Sequence, residues 1–214
     1  MTDTEKHAQS DGSEKLETCD ESLSMYHRWA DRREQELSEE LGYCYPAQVA
    51  ACFADMADQS DEPIVDIGCG TGLLGEALRC FGSWPIDGLD ISEAMLEMAA
   101  RKNCYRRLLA VDLTYHLSNS DAPWGGLVSA DTFTRGLLGP DSIPPLFEHL
   151  RPNALCCIGV HAEHFAEKGF ADMFRQQQAK QLITEPEMVQ VPMFSKRKND
   201  RALDVAWVVR FRRI

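Results

Sequence analysis

The chain has 214 residues, the size of one ordinary domain, and can bury a core without disulfide or metal staples. Its hydrophobic content of 44% excludes a disordered protein, and no apolar run approaches the roughly 18 residues of a membrane span. A formal net charge of −12 counts against nucleic acid, because phosphate binding needs a basic face that displaces counterions.

Residues 1–20 are polar, acidic and free of periodicity, which predicts a disordered tail. Residues 21–40 turn helical, with Leu23, Tyr26, Trp29 and Ala30 at helical spacing, and Pro46 opens a second helix that runs to Met56. Together, residues 21–60 read as a helical cap within a domain spanning 21–214. Pro63 to Ile67 is a short buried strand closed by Gly68, followed by a helix from Leu73 to Cys80. Pro85 to Asp90 is the second strand, and Ser92 caps a helix from Glu93 to Arg101. Leu108 to Val111 and Gly126 to Ala130 are the third and fourth strands. Ser142 to Leu150 reads as a helix capped near Asp141, Leu155 to Val160 as the fifth strand, and His164 to Gln178 as one further helix. Met188 to Phe194 and Leu203 to Phe211 alternate as strands around the polar turn 195–201.

Strands that alternate with helices at this spacing build a parallel sheet, whereas two closing strands joined by a short turn must be antiparallel. The expectation is an α/β, Rossmann-like, mostly parallel sheet of seven strands with a C-terminal antiparallel β-hairpin and the N-terminal helical cap. The eight cysteines include no C-x-x-C pair, and adjacent Cys156 and Cys157 point to opposite faces of a strand. That usage suits reduced thiols in the cytoplasm.

The sharpest signal is Val65-Asp66-Ile67-Gly68-Cys69-Gly70-Thr71-Gly72, lying between a strand and a helix. Glycines there turn the chain tightly and let a ligand meet the backbone with no Cβ in the way, beyond the carboxyl ends of the strands where open α/β sheets bind ligands. Gly70 to Gly75 also satisfies the G-x-G-x-x-G spacing of an NAD(P)-dependent oxidoreductase, with Asp90 about twenty residues on. Asp66 argues against it. A carboxylate at the end of the first strand repels a pyrophosphate and suits a ligand bearing an ammonium and a sulfonium.

At these residues the chain resembles the class I S-adenosylmethionine-dependent methyltransferases, whose first motif matches Asp66-Ile67-Gly68-Cys69-Gly70-Thr71-Gly72. Among them it is most similar to the Williams–Beuren-region methyltransferase-like proteins. The stretches that carry this narrower likeness are Tyr26 to Ala30, Leu41-Gly42-Tyr43 with Pro46, Asp131 to Gly136, and His164-Phe165 with Gly169-Phe170. The resemblance implies S-adenosylmethionine as cofactor and S-adenosylhomocysteine as product. It implies that Gly68, Gly70 and Gly72 line the methionine part, that Asp66 orients its amino group directly or through water, and that Asp90 accepts from both ribose hydroxyls. Ile91 packs on the adenine in this scheme, Asp112 accepts from its amino group with the Leu113 backbone beside it, and Ser129 or Ala130 meets the amino end. Tyr26 and Trp29 close over the cofactor.

This chain departs from the family at His27, at Arg32-Arg33, and at Asp131 and Arg135, where substrate is expected, so the resemblance carries no particular acceptor. No Asn-Pro-Pro-Tyr or Asp-Pro-Pro-Tyr follows the fourth strand. The expected partner is a small-molecule acceptor taking the methyl on O, N or S by in-line displacement, with neither nucleic acid nor membrane. His161, just past the fifth strand, is the candidate general base, being the side chain that titrates closest to neutrality. His164 and His116 are weaker candidates. The alternatives are the NAD(P)-dependent oxidoreductase and a cofactor-binding protein without turnover that acts through a partner, a reading that Asp131 and Arg135 in the substrate region keep open.

Overall fold

The computed structural model describes residues 41–113, 123–196 and 204–214. The tail 1–20, the helix expected over 21–40 with Tyr26 and Trp29, and His116 lie outside the described residues. The centre is one sheet of seven strands: β1 (Ile64–Ile67), β2 (Ile86–Asp90), β3 (Arg107–Ala110), β4 (Trp124–Phe133), β5 (Leu150–His161), β6 (Glu187–Pro192) and β7 (Val205–Arg212). Their spatial order is β3-β2-β1-β4-β5-β7-β6. The β1, β2, β3, β4 and β5 pairings are parallel, while β7 runs antiparallel to both β5 and β6. The expected mostly parallel sheet closed by an antiparallel pair is the observed one. The order reverses at β1, so the carboxyl ends of β1, β2 and β4 flank the switch point where such sheets bind ligands.

Five helices dress the sheet among the described residues: α1 (Tyr45–Ala54), α2 (Leu73–Leu78), α3 (Glu93–Arg101), α4 (Ala162–Glu167) and α5 (Phe170–Ala179). On one face Tyr45, Val49 and Phe53 of α1 join Leu74 and Leu78 of α2 over Ile64, Val128 and Cys157. On the other, Phe170, Met173 and Phe174 of α5 meet Val65, Leu127, Cys156 and Phe211. Cys156 and Cys157 thus face opposite cores, as strand alternation dictates. None of the described cysteines is bridged. No helix among the described residues is long and apolar enough to cross a membrane.

Local chemistry explains the element ends. Pro46 sits in the first turn of α1, where its missing N–H is no loss. Ser92 Oγ accepts the Met95 N–H at 3.2 Å and starts α3. Two elements differ from the sequence expectation. Residues 142–150 do not form an α-helix: they hold two short 3₁₀ segments, Pro140–Ser142 and Pro144–His149, because Pro144 and Pro145 supply no N–H for a continuous ladder. The single helix expected from His164 to Gln178 is two, α4 and α5, broken at Gly169 with φ of 78°. β4 and β5 are also longer than the hydrophobic pattern suggested.

Candidate functional site

The site is built first by the loop leaving β1. Gly68 and Gly70 hold φ of +65° and +52°, backbone that side chains with a Cβ rarely adopt. A Cβ on Gly68 would collide with Thr132, whereas one on Gly70 would project into open space with nothing within 4 Å. That empty quarter beside Gly70 is where a ligand can lie on bare backbone. Gly72, with φ of +91°, precedes α2 and ends the turn.

Asp90, at the tip of β2, ties this loop to α3. Its Oδ2 accepts the Gly70 N–H at 2.8 Å and its Oδ1 accepts the Ser92 N–H at 2.9 Å. A carboxylate offers about four acceptor sites, and these two backbone bonds use one on each oxygen. Ile91 follows, 44% exposed, an apolar surface presented beside the acid. The Val111 N–H bonds the Asp90 carbonyl at 2.9 Å, which brings the start of the loop after β3, with half-buried Asp112 and Leu113, alongside the same edge.

Asp66 behaves differently. It is fully buried; its Oδ2 accepts the Tyr105 hydroxyl at 2.7 Å, and its Oδ1 finds no partner among the described residues. Burial pushes its carboxyl up to about 7, the Tyr105 hydrogen bond restrains the rise, and nearby Asp90 adds to it. A buried acid with one orphan oxygen calls for a donor or a cation. Ser129 is also fully buried, and its hydroxyl, like that of Thr132, donates to the Ile67 carbonyl, at 2.8 and 2.7 Å. Its side chain therefore braces the β1 end rather than facing outward.

A second constellation stands at the carboxyl ends of β4 and β5. Between Ser129 and Phe133, β4 gains residues against β5, where Ile158 and Val160 are the partners. This bulge holds Asp131 at φ of +62° and turns it outward. His161 Nε2 lies 2.7 Å from Asp131 Oδ1, and its Nδ1 lies 2.9 Å from Thr134 Oγ1. A carboxylate only accepts, so Nε2–H donates to Asp131, and in the neutral imidazole Nδ1 then accepts the Thr134 hydroxyl. The edge of the Tyr45 ring meets the imidazole at a centroid distance of 5.8 Å, and the buried Tyr45 hydroxyl has no partner among the described residues.

His161 was legible as a candidate; its two partners were not. Asp131 and Arg135 stood out as departures from the family, but no periodic signal marks a bulge. Arg135 points elsewhere: its guanidinium spans both carboxylate oxygens of exposed Glu167 at 3.0 Å each. His164 is 4% exposed, holds the Leu138 carbonyl through Nε2 at 3.0 Å and packs on Phe170. Burial lowers its basicity, which makes it a core histidine. Tyr105, fixed against Asp66, was missed altogether.

Comparison with known proteins accords with this fold. Residues 64–151 match the family model described as a methyltransferase domain. Methyltransferase-like protein 27 of Homo sapiens is 28% identical over 142 residues, covering 64% of this chain and 57% of that protein. The chain therefore spans little more than half the length of that relative. A ribosomal protein L11 methyltransferase of Shewanella denitrificans is 28% identical over 127 residues, 58% of this chain and 42% of that one. Among solved structures, the N-methyltransferase NodS of Bradyrhizobium japonicum, in complex with S-adenosylhomocysteine, superimposes with a TM-score of 0.68 at 15% identity, covering 90% of this chain and 98% of that one.

Proposed function

We propose that this chain, a class I S-adenosylmethionine-dependent methyltransferase in its domain and fold, transfers a methyl group to a small-molecule acceptor at O, N or S. The observation that carries the reading is the pairing of open backbone at Gly70 with buried Asp66 and with Asp90 at adjacent strand tips. These residues fit the cofactor. Gly68, Gly70 and Gly72 take its methionine part, Asp66 the ammonium, Asp90 the ribose, and Ile91, Asp112 and Leu113 the adenine. The bound sulfonium supplies an activated methyl group; the chain's task is to align a nucleophile with it and exclude water. Alignment of that kind accounts for about 7–11 kcal/mol of a barrier.

Asp131, His161 and Thr134 supply a route for the acceptor's proton. Thr134 Oγ1 accepts the proton of the acceptor's X–H as it passes its own to His161 Nδ1. Asp131 balances the imidazolium, and the quarter-exposed ring returns the proton to water. The X–CH₃ bond formed would balance the S–CH₃ and X–H bonds broken, with S-adenosylhomocysteine left neutral at sulfur and the proton passed to water. His161 is the base in this reading, and an acceptor without an X–H bypasses it.

The acidity of the chain and the absence of a C-x-x-C pair support an acceptor other than nucleic acid and a reducing compartment such as the cytoplasm. The test has two stages. Calorimetric titration is expected to show micromolar binding of S-adenosylhomocysteine and none of NAD(P)+; the reverse overturns the reading. Incubation with methyl-deuterated cofactor and fractionated extract is then expected to label a low-molecular-mass component. Label confined to a polypeptide would replace the small-molecule acceptor with a protein, as in the L11 methyltransferase relative.

A further inference from the structure

Tyr105 lies in the link between α3 and β3, far in sequence from the glycine loop, yet its side chain occupies the middle of that loop's support. Its hydroxyl donates to Asp66 Oδ2 at 2.7 Å and accepts the Gly75 N–H at 3.2 Å. Its ring fills the space that a Cβ on Gly75 would need, and stands 3.0 Å from a Cβ placed on Gly72 and 3.1 Å from one on Gly88. Gly75 thus makes room for a tyrosine rather than for a ligand, and Gly88 for Leu108 and Cys69 with the tyrosine ring beside them. One side chain thereby joins β1, the first turn of α2 and β2. It leaves Asp66 with a single oxygen that is buried and without a partner among the described residues.

Resting on the cofactor reading above, we propose that Tyr105 is a positioning residue. It locks Asp66 and the start of α2 in one arrangement, so that the carboxylate's free oxygen receives the ammonium of the cofactor's amino-acid tail, directly or through one water. Cofactor binding is then coupled to release of the Asp66 proton. The groups that bear on Asp66 are Tyr105 from the α3–β3 link and Asp90 from β2. Cys69 and Cys104 lie around Tyr105, and burial pushes both thiols up, so they stay neutral. The Asp66 carboxyl, pushed up to about 7 in the free protein, must ionise to meet an ammonium. Affinity therefore rises as pH climbs toward 7 and levels off above it.

The experiment is titration calorimetry with S-adenosylhomocysteine at pH 5.5 to 7.5, run in two buffers of different ionisation enthalpy. The wild-type chain is expected to release more than roughly half a proton on binding at pH 6.5, and Asp66→Asn to release none. 5′-Methylthioadenosine, which lacks the amino-acid tail, is expected to release none from either. Tyr105→Phe keeps the ring in its cavity but removes the hydroxyl that favours the charged acid. It is expected to weaken binding about tenfold at pH 6.5 and to move the midpoint of the pH dependence upward. A merely structural tyrosine would weaken binding equally at every pH. Parallel pH curves for wild type and Tyr105→Phe, or binding without proton release, overturn this inference and leave the cofactor reading standing. A wild-type chain that does not bind S-adenosylhomocysteine overturns both. Should Tyr105→Phe fail to fold, the wild-type and Asp66→Asn proton counts decide the matter.

Discussion

Two aspartates in neighbouring strands are both fully buried and meet opposite fates. Asp87, near the start of β2, lies level with Val65, and Asp66, near the end of β1, lies level with Gly88. Burial raises Asp87, but the hydrogen bonds of Arg106, Arg107 and Trp124 overcome it and hold the carboxyl down to about 2. Arg106 Nε reaches Oδ1 at 2.9 Å, while Arg106 Nη2, Arg107 Nη2 and Trp124 Nε1 reach Oδ2 at 2.7 to 2.8 Å. Asp66 has one donor and an orphan oxygen, and it rises to about 7. The same residue type, with no exposed surface in either place, is held down where the chain surrounds it with donors and is raised where one oxygen has none among the described residues.

The largest effect should come from breaking the satisfied member. Asp87→Asn places an NH₂ against three donors and is expected to cost about 3 kcal/mol in urea denaturation at pH 7. Because the folded acid lies below its unfolded value, its contribution is complete above about pH 4 and vanishes as pH falls toward 2. The deficit of the variant should therefore shrink over that window. A deficit unchanged at pH 2.5 would mean that shape, not charge, sets the role of Asp87.

At the other edge, Gly70→Val fills the open quarter of the glycine loop. The positive φ makes this cost about 1–2 kcal/mol of stability, yet S-adenosylhomocysteine affinity is expected to fall at least a hundredfold. Loss of stability without loss of affinity would move the ligand elsewhere.

Asp66→Asn sharpens the contrast because it should act in opposite directions on fold and function. An acid raised in the folded state destabilises it increasingly as pH climbs from about 4 to 7, and fully above. Without cofactor, the variant is expected to melt higher than wild type at pH 8 and equally near pH 4, while binding S-adenosylhomocysteine about tenfold more weakly at pH 8. Equal melting at pH 8 would show that Asp66 is relieved in the free protein.

How far the sequence revealed this contrast follows from the physics of each position. The β/α alternation, the Ser92 cap and the loop from Asp66 to Gly72 are local patterns, and the structure repeats them. Asp90 serves two ends at once, accepting from Ser92 and bracing Gly70, contacts that the role implied by the resemblance does not contain. Tyr105 and the Asp131–His161–Thr134 group depend on contacts across about thirty residues, and no periodicity encodes them. Gly75 carried a hint, a glycine inside a helix start, but it read equally well as part of a dinucleotide spacing.

The smallest effect tests whether charge pairing alone is what holds Asp87. Arg135 also pairs with a carboxylate, but one nitrogen, Nη2, reaches both oxygens of Glu167, where Arg106 sets two nitrogens on the two oxygens of Asp87; its side chain is 60% exposed and that of Glu167 53%. In water such a pair exchanges one set of good solvation for another, loses side-chain freedom and is screened by salt. Arg135→Ala is therefore expected to change stability by no more than about 0.5 kcal/mol, with S-adenosylhomocysteine affinity unchanged in the same titration. A larger loss, persisting in high salt, would show that the pair pins α4 to the end of β4. The difference between this pair and the Arg106–Asp87 pair would then no longer be a matter of burial.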